Sequence, residues 1–467
     1  MADSGPVLFI CEKYFLRFYR PLAERLVHFG FSPVWVTLDG AHEWDYDYLN
    51  PGPAIEQLTE RPELQCRASV DSLCTLERTV FERPDVFRKS YPYTVNVVRT
   101  LDRARRLAEV WSQATLALVA RFQPKAVFVW NGRYLPYSAV SAACETAGQA
   151  FFTSEIGWLP GTIFLDRGRL SGDTTDLFGR VAEASVATAD DRADAFLADY
   201  TTRKATMVSQ RLLSPSDTRR NLLGADGRFL LVYGCQVDWD TNVVIGARRF
   251  HSNQSAVSFL VECMATVPGA RIVVKTHPLD SKDTEAALRE IVGSRGSVVS
   301  DIHPHTLIEA ADCVAVRNST LGFETLCYAK PLVALEPAKY RDPKLTLNAE
   351  SSTEGGANLL AIAEKRCSVP DRAALRQFML HVIDHYLVPV GYRYFFAPEQ
   401  LAILTHLERN DSDRQLRQVL HDLAPANVDA DGDVVRAIDR CEFRRGRRRS
   451  LLQQITLKLA GRRSWTQ

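Results

Sequence analysis

The chain has 467 residues, 57 Lys+Arg against 56 Asp+Glu for a net charge of +1, and 46% apolar residues. That composition is of an ordinary globular protein and excludes a disordered or fibrous one. The near-zero charge argues against a nucleic-acid binder that works through bulk charge and leaves a small-molecule or sugar substrate as the better fit.

The ten cysteines stand singly, without any C-x-x-C pair, so neither a disulfide scaffold nor a zinc ribbon is expected. The opening MADSGPVLFICEKYF lacks a basic segment followed by a long apolar run, and no stretch approaches the ~18 apolar residues of a membrane span. A cytoplasmic protein with buried thiols is expected.

PVLFI reads as a short buried strand, LRFYRPLAERLVHFG as a helix stopping at Gly30, and SPVWVTLD as a second strand. Strand, helix, strand is the signature of a parallel, doubly wound sheet. From about 41 to 115 the chain is polar, carries Pro51, Pro53, Pro62, Pro84 and Pro92 and includes helical stretches with no clear alternation, which predicts an irregular insertion. The rhythm resumes with the strand PKAVFVWNG, the helix SAVSAACETAG and the strand QAFFTSE. Ligands bind beyond the carboxyl ends of such strands, so Asn131 and Glu155 are expected to face one crevice.

A charged helical stretch through YTTRK leads to LSPSDTRRNLLGADGR, which reads as an interdomain connection. A second and more regular α/β unit follows: strands RFLLVYG, ARIVVKTHP, SVVSD, CVAVRN and PLVAL alternate with helices. DRAALRQFMLHVIDHYLV reads as helix, and the tail after Asn410 is charge-rich. The basic RRGRRRSLLQQITLKLAGRRSWTQ is either a solvated terminal helix or a peripheral contact with anionic lipid. The expected partition is 1–220 for the first Rossmann-like domain, 221–400 for the second, and 401–467 for a helical tail.

Four constellations carry chemistry. In ARIVVKTHPLD, Pro278 ends the strand and holds His277 at the crevice with Lys275 two residues earlier, a pair suited to a phosphate leaving group without metal. In CVAVRNSTLGFETL a strand runs through Asn318 into Ser319 and Thr320 at a helix start, where hydroxyls, free N–H groups and the dipole make an anion site. Glu324 is a candidate ribose contact, or simply an acid near the helix start. LLVYGCQVDWDTNV ends a strand in a loop with Gln236, Asp238 and Asp240. Its Asp-x-Asp match to metal-binding glycosyltransferases is weak, because Asp45 with Asp47 and Asp429 with Asp431 repeat it by chance. FFTSEIG places Glu155 at a strand end, where a carboxylate can deprotonate an incoming hydroxyl.

Together, Glu155-x-Gly157, Gln236-Val237-x-x-Asp240-Thr241, Lys275-x-His277-Pro278 and Asn318-Ser319-Thr320-x-Gly322-x-Glu324 resemble the capsule polysaccharide biosynthesis family, which includes bacterial retaining β-Kdo transferases. The resemblance covers about 120 to 335. It implies a GT-B-like α/β fold, two Rossmann-type domains facing a cleft, with extra C-terminal helices. It implies a metal-independent transferase that moves Kdo, or a related 2-keto sugar acid, from a CMP-activated donor to a glycan or glycolipid acceptor with retention, and no cofactor. By the same resemblance, Lys275, His277 and Pro278 with Asn318, Ser319 and Thr320 hold the donor phosphate, Gln236 and Glu324 lie near the nucleotide, Asp240 is the nucleophile and Glu155 an acid/base or sugar contact. Asp238, an extra acid in that loop, competes with Asp240 for the nucleophile's role. Competing readings are a CDP-polyol phosphotransferase of teichoic-acid type, a nucleotide-sugar 2-epimerase, and a non-catalytic glycan-binding relative. Tyr392-Arg393-Tyr394 is either a sugar contact or core packing.

Overall fold

The computed structural model describes residues 5–11, 13–37, 48–49, 101–168, 190–204, 210–224, 228–238, 240–278, 280, 282–390 and 402–408. Uninterrupted apolar runs make strands covered on both faces, and on that rule one mixed, mostly parallel sheet and one wholly parallel sheet form. The first is built from β1 (Gly5–Cys11), α1 (Lys13–His28), β2 (Phe31–Thr37), β3 (Tyr48–Leu49), α2 (Leu101–Phe122), β4 (Ala126–Trp130), α3 (Tyr137–Thr146), β5 (Phe151–Ile156) and β6 (Thr162–Arg167). In its core Phe9 stacks between Trp35 and Phe128, each with ring centroids at 4.7 Å.

Helices α4 (Asp190–Arg203) and α5 (Pro215–Leu223) lead to the second unit. It runs β7 (Phe229–Gly234), α6 (Thr241–Val244), α7 (Asn253–Cys263), β8 (Ala270–Lys275), α8 (Lys282–Val292), β9 (Gly296–Val299), α9 (Pro304–Ala310), β10 (Cys313–Val316), α10 (Thr320–Cys327), β11 (Leu332–Ala334) and α11 (Ser352–Ala363). After α12 (Arg372–His381) the chain forms β12 (Leu387–Pro389). The sheets are ordered β12-β6-β5-β4-β1-β2-β3 and β11-β10-β7-β8-β9. The second is wholly parallel; in the first, β6 runs antiparallel to both β5 and β12.

Four expectations change. The irregular insertion expected to reach 115 ends earlier, because Ala104, Ala108, Trp111, Thr115 and Leu118 put a buried stripe along α2; residues 50–100 lie outside the described residues. The segment read as an interdomain connection contains α5, capped by the Ser214 hydroxyl and ended at Gly224, φ 67°. Arg219 fastens it to the second unit through Asp312 at 2.7 Å and the Ala310 carbonyl at 2.6 Å. The helix expected through Val388 stops at His381, and a π-helical turn over Val382–Tyr386 releases the chain into β12. Because β12 pairs with β6, residues placed by the expected boundary in the second domain complete the first sheet instead. Strand β6 itself carries no alternation that the sequence made visible.

The units meet at the turn between β5 and β6. Trp158 stacks on Phe323 of α10 at 4.7 Å and lies 5.9 Å from the rings of both Tyr340 and Tyr386. A Cβ on Gly157 would fall 2.1 Å from Thr162 Oγ1, so this tight turn, which carries Glu155 at its root, requires glycine. No described helix is long and apolar enough to cross a membrane. The basic tail and Tyr392-Arg393-Tyr394 lie outside the described residues.

Candidate active site

In each sheet the strand order reverses once, between β1 and β4 and between β7 and β10. Crevices for ligands open beyond the carboxyl ends at such points. The predicted residues collect there: Gln236, Asp238 and Asp240 after β7, Lys275 to Pro278 at and after β8, Asn318 to Thr320 after β10, and Asn131 and Glu155 at the ends of β4 and β5.

Behind the second crevice lies a buried polar hub. The Arg317 side chain, fully buried, pairs with Asp238 at 2.9 Å and donates to the Gln236 carbonyl and to Asn253 Oδ1. Asn253 donates in turn from its amide to Gln236 O at 2.8 Å and from its backbone to Asp238 at 3.1 Å. A buried guanidinium demands such a carboxylate, so Asp238 is committed to holding the loop. Asp240 lies two residues on and caps α6, its Oδ1 accepting from Asn242 N at 2.7 Å.

Lys275 also serves structure: its ammonium donates to the Ser300 carbonyl at 2.8 Å and the Thr276 carbonyl at 3.2 Å, tying the tips of β8 and β9 together. Burial lowers its pKa. His277 follows, its backbone N–H donating to Asp280 at 2.8 Å, and Pro278 is exposed. Burial drives the imidazole down to about 4 against the opposing pull of Asp240, so His277 is neutral at pH 7. A neutral ring can meet a phosphate as an N–H donor rather than as a cation.

At α10 the N-cap hydroxyl of Ser319 does not cap its own helix and, like Asn318 Oδ1 and Gln236 Oε1, is buried with no partner among the described residues. Asn318 Nδ2 donates to Asn242 O at 3.0 Å, and Tyr340 OH to Ser319 O at 2.6 Å. Thr320, first in the helix, is exposed. A Cβ on Gly234 would lie 2.2 Å from Leu321 Cδ2, so α10 presses against the end of β7. Glu324 faces Tyr200 of α4, and burial alone raises its carboxyl to about 7.

On the first unit, burial raises Glu155 to about 7; the Ile156 N–H and Asn131 amide that bond it pull the other way, and Asp240 adds to the rise. Asn131 holds a left-handed φ of 56°, an unusual backbone for a non-glycine residue and one that clusters at functional sites. The sequence reading missed Arg133. Its backbone N–H donates to Asn131 Oδ1 at 3.1 Å and its guanidinium reaches the other unit, donating to Asn242 Oδ1 at 2.6 Å. Hydrogen bonds thus run from Glu155 through Asn131, Arg133 and Asn242 to Asp240. The cleft they cross, about 590 Å³ including open solvent, is lined by Arg133, Glu155, Asn242, Asn318, Lys339 and Tyr340 among others. Of the predicted site residues only Glu155 and Asn318 are on that wall; Gln236, Asp238, Asp240, Lys275, His277, Pro278, Ser319, Thr320 and Glu324 are not. Among the described residues, no group of three or more His, Cys, Asp or Glu is placed to hold a metal ion.

Residues 191–359 match the family model described as capsule polysaccharide biosynthesis protein. Comparison with curated proteins gives no match. Among solved structures, the chain is similar to the KpsC β-Kdo 2,7-transferase of Thermosulfurimonas dismutans, with 17% identity over 64% of this chain and 89% of that one and a TM-score of 0.43. The β-Kdo 2,4-transferase from the same organism gives 18% identity over 55% and 79%, TM-score 0.40. The UDP-GlcNAc 2-epimerase of Neisseria meningitidis gives 10% over 81% and 98%, TM-score 0.35. The family match takes in the Asp240 loop, the His277 strand end and the α10 start; Glu155 and Arg133 precede it.

Proposed function

We propose that this protein is a glycosyltransferase of capsule polysaccharide synthesis that moves a 2-keto sugar acid, Kdo or a close relative, from a CMP-activated donor to a glycan acceptor with retention. The observation that carries the reading is the pair of carboxyl groups on opposite units: Glu155, raised to about 7, and Asp240, joined across the cleft by Arg133 and Asn242. Retention requires two displacements, and a carboxyl group on each unit supplies a nucleophile and a proton-transfer group.

Asp240 attacks the anomeric carbon while the bond to the nucleotide phosphate breaks and CMP leaves with the electron pair. The departing phosphate is met by the N–H groups opening α10, the Ser319 hydroxyl and the His277 imidazole. An acceptor hydroxyl then loses its proton to Glu155 and displaces Asp240 from the sugar. On this reading the acceptor is held by the first unit, the donor by the second, and the reaction takes place on the cytoplasmic side without a cofactor.

The test is a donor screen of CMP-, CDP- and UDP-activated compounds with nucleotide release as readout. CMP release from CMP-Kdo only when a glycan acceptor is present supports the reading. Turnover of CDP-glycerol alone, or conversion of a UDP-sugar with no acceptor, overturns it.

A further inference from the structure

We propose that Asn131 is the positioning residue of Glu155: its amide holds that carboxyl at the cleft and favours the ionised form, which accepts a proton. What the proton does rests on the transferase reading; the hold itself does not. The turn after β4 is built around this one side chain. Asn131 and Gly132 take left-handed φ values of 56° and 73° in succession, and the Asn131 N–H donates to the Ser154 carbonyl at 2.6 Å. A Cβ at 132 would lie 2.6 Å from Thr153 Cγ2 and 2.9 Å from Ser141 Oγ, so the second of these positions requires glycine. Glycine would be the relaxed choice at 131 as well, yet the chain carries an asparagine in a conformation that strains any side chain. Strain kept at a cleft points to what that side chain does.

The direction of the amide is fixed from its oxygen. The backbone N–H of Arg133 can only donate, and it reaches Asn131 Oδ1 at 3.1 Å. The NH2 group is thereby turned to Glu155, where it donates to Oε2, while the Ile156 N–H donates to Oε1 at 3.2 Å. Each carboxyl oxygen receives a donor, and donors favour the charged form. Burial pushes the Glu155 carboxyl up, these two donors and Arg133 pull against it, and Asp240 adds to the rise. Lys339 of the second unit and the buried Tyr19 of α1 also feel the charge of Glu155. Within that set the Asn131 amide is a neutral donor aimed by the backbone, so it can be exchanged for a group of the same shape that donates nothing.

Asn131→Gly and Asn131→Asp in the whole protein test this. The Glu155 carboxyl is titrated by infrared difference, in wild type and in Asn131→Gly, each against the same protein carrying Glu155→Gln; kcat/KM for CMP-Kdo is measured across pH for both variants. In Asn131→Gly the Glu155 titration, and with it the acid limb of kcat/KM, should rise by about one pH unit, the worth of one hydrogen bond to a charged group. The rate loss should then be about tenfold at about pH 6 and smaller at about pH 9. Asn131→Asp keeps an acceptor for the Arg133 N–H and sets a second carboxyl beside Glu155, so its acid limb should rise further. Unchanged CMP affinity shows that the variants are folded. A Glu155 titration that stays in place in Asn131→Gly, or a rate loss in both variants that does not vary with pH, overturns the proposal. A shifted titration in a protein that turns over no CMP-Kdo upholds the hold of Asn131 on Glu155 and overturns the transferase reading alone.

Discussion

The two sheets share a strand order and differ in what stands at their carboxyl ends. In the second, the crevice is backed by an ionic hub in which Arg317, Asp238, Asn253 and the Gln236 carbonyl bond one another, while Arg317 Nε and Gln236 Oε1 are buried with no partner among the described residues. In the first, the corresponding tip carries a left-handed Asn131 and a desolvated Glu155 poised to gain or lose a proton. On the proposed reading one frame serves two tasks, an anion site on one side and a proton-transfer group on the other. The asymmetry comes from which polar groups the fold satisfies internally and which it leaves to a ligand.

The two aspartates of one loop give the sharpest way to break that comparison. Asp240→Asn should cut transfer on the order of 10⁴-fold, as loss of a nucleophile does, with an unchanged unfolding midpoint. Asp238→Asn should do the reverse: uncovering Arg317 costs roughly 3 kcal/mol of stability, read by denaturant unfolding, while the folded fraction still turns over. An Asp240→Asn enzyme at wild-type rate would return the nucleophile's role to Asp238. Next in size, His277→Ala should lower kcat/KM by about 10²- to 10³-fold, the effect of removing one donor to a developing anion. Since the ring is neutral at pH 7, the loss should persist across pH 6–8; a loss confined to acid pH would mean that His277 acts as a cation after all.

How much of this was legible differs between the units for physical reasons. LLVY, IVV and CVAV are unbroken apolar runs because their strands are buried on both faces, so the second sheet could be read in order. Strand β12 could not, because its three residues follow a helix and acquire a strand's role only from pairing with distant β6. The site divides the same way. Asp240, His277, Ser319 and Glu155 announce themselves at strand ends, whereas nothing local tells Asp238 from Asp240; that distinction needs Arg317, far along the chain. Arg133 carries a weak signal, an Arg two residues after a strand-end Asn.

The proton on the first unit sharpens the contrast further. Acting as a base, Glu155 must be ionised, so kcat/KM should rise through about pH 7 and lose that limb in Glu155→Gln. A rate that falls through the same range would assign it as an acid. Stability must move the opposite way. A carboxyl raised by burial from 4.5 to about 7 favours its neutral form in the folded protein, so its contribution is full below 4.5 and is lost as pH rises through about 7, roughly 3 kcal/mol in all. The difference in unfolding free energy between pH 5 and pH 8 should accordingly shrink in Glu155→Gln.

The smallest effect concerns how firmly the two unlike crevices are kept facing each other. Trp158 is the projecting aromatic of the first unit, stacked on Phe323 at the helix that opens the anion site and bordered by Tyr340 and Tyr386. Truncating it removes its contacts with Phe323, Tyr340 and Tyr386 and, within the first unit, its edge-on contact with Phe164 at 5.1 Å. Trp158→Ala should therefore cost about 3 kcal/mol as a loosening between units, splitting a single thermal transition into two, while Trp158→Phe keeps most of the stacking and the single transition. If the Ala variant still unfolds in one step at the wild-type midpoint, the units are held by β12 pairing with β6, and the rigid partner in the comparison is the strand rather than the ring.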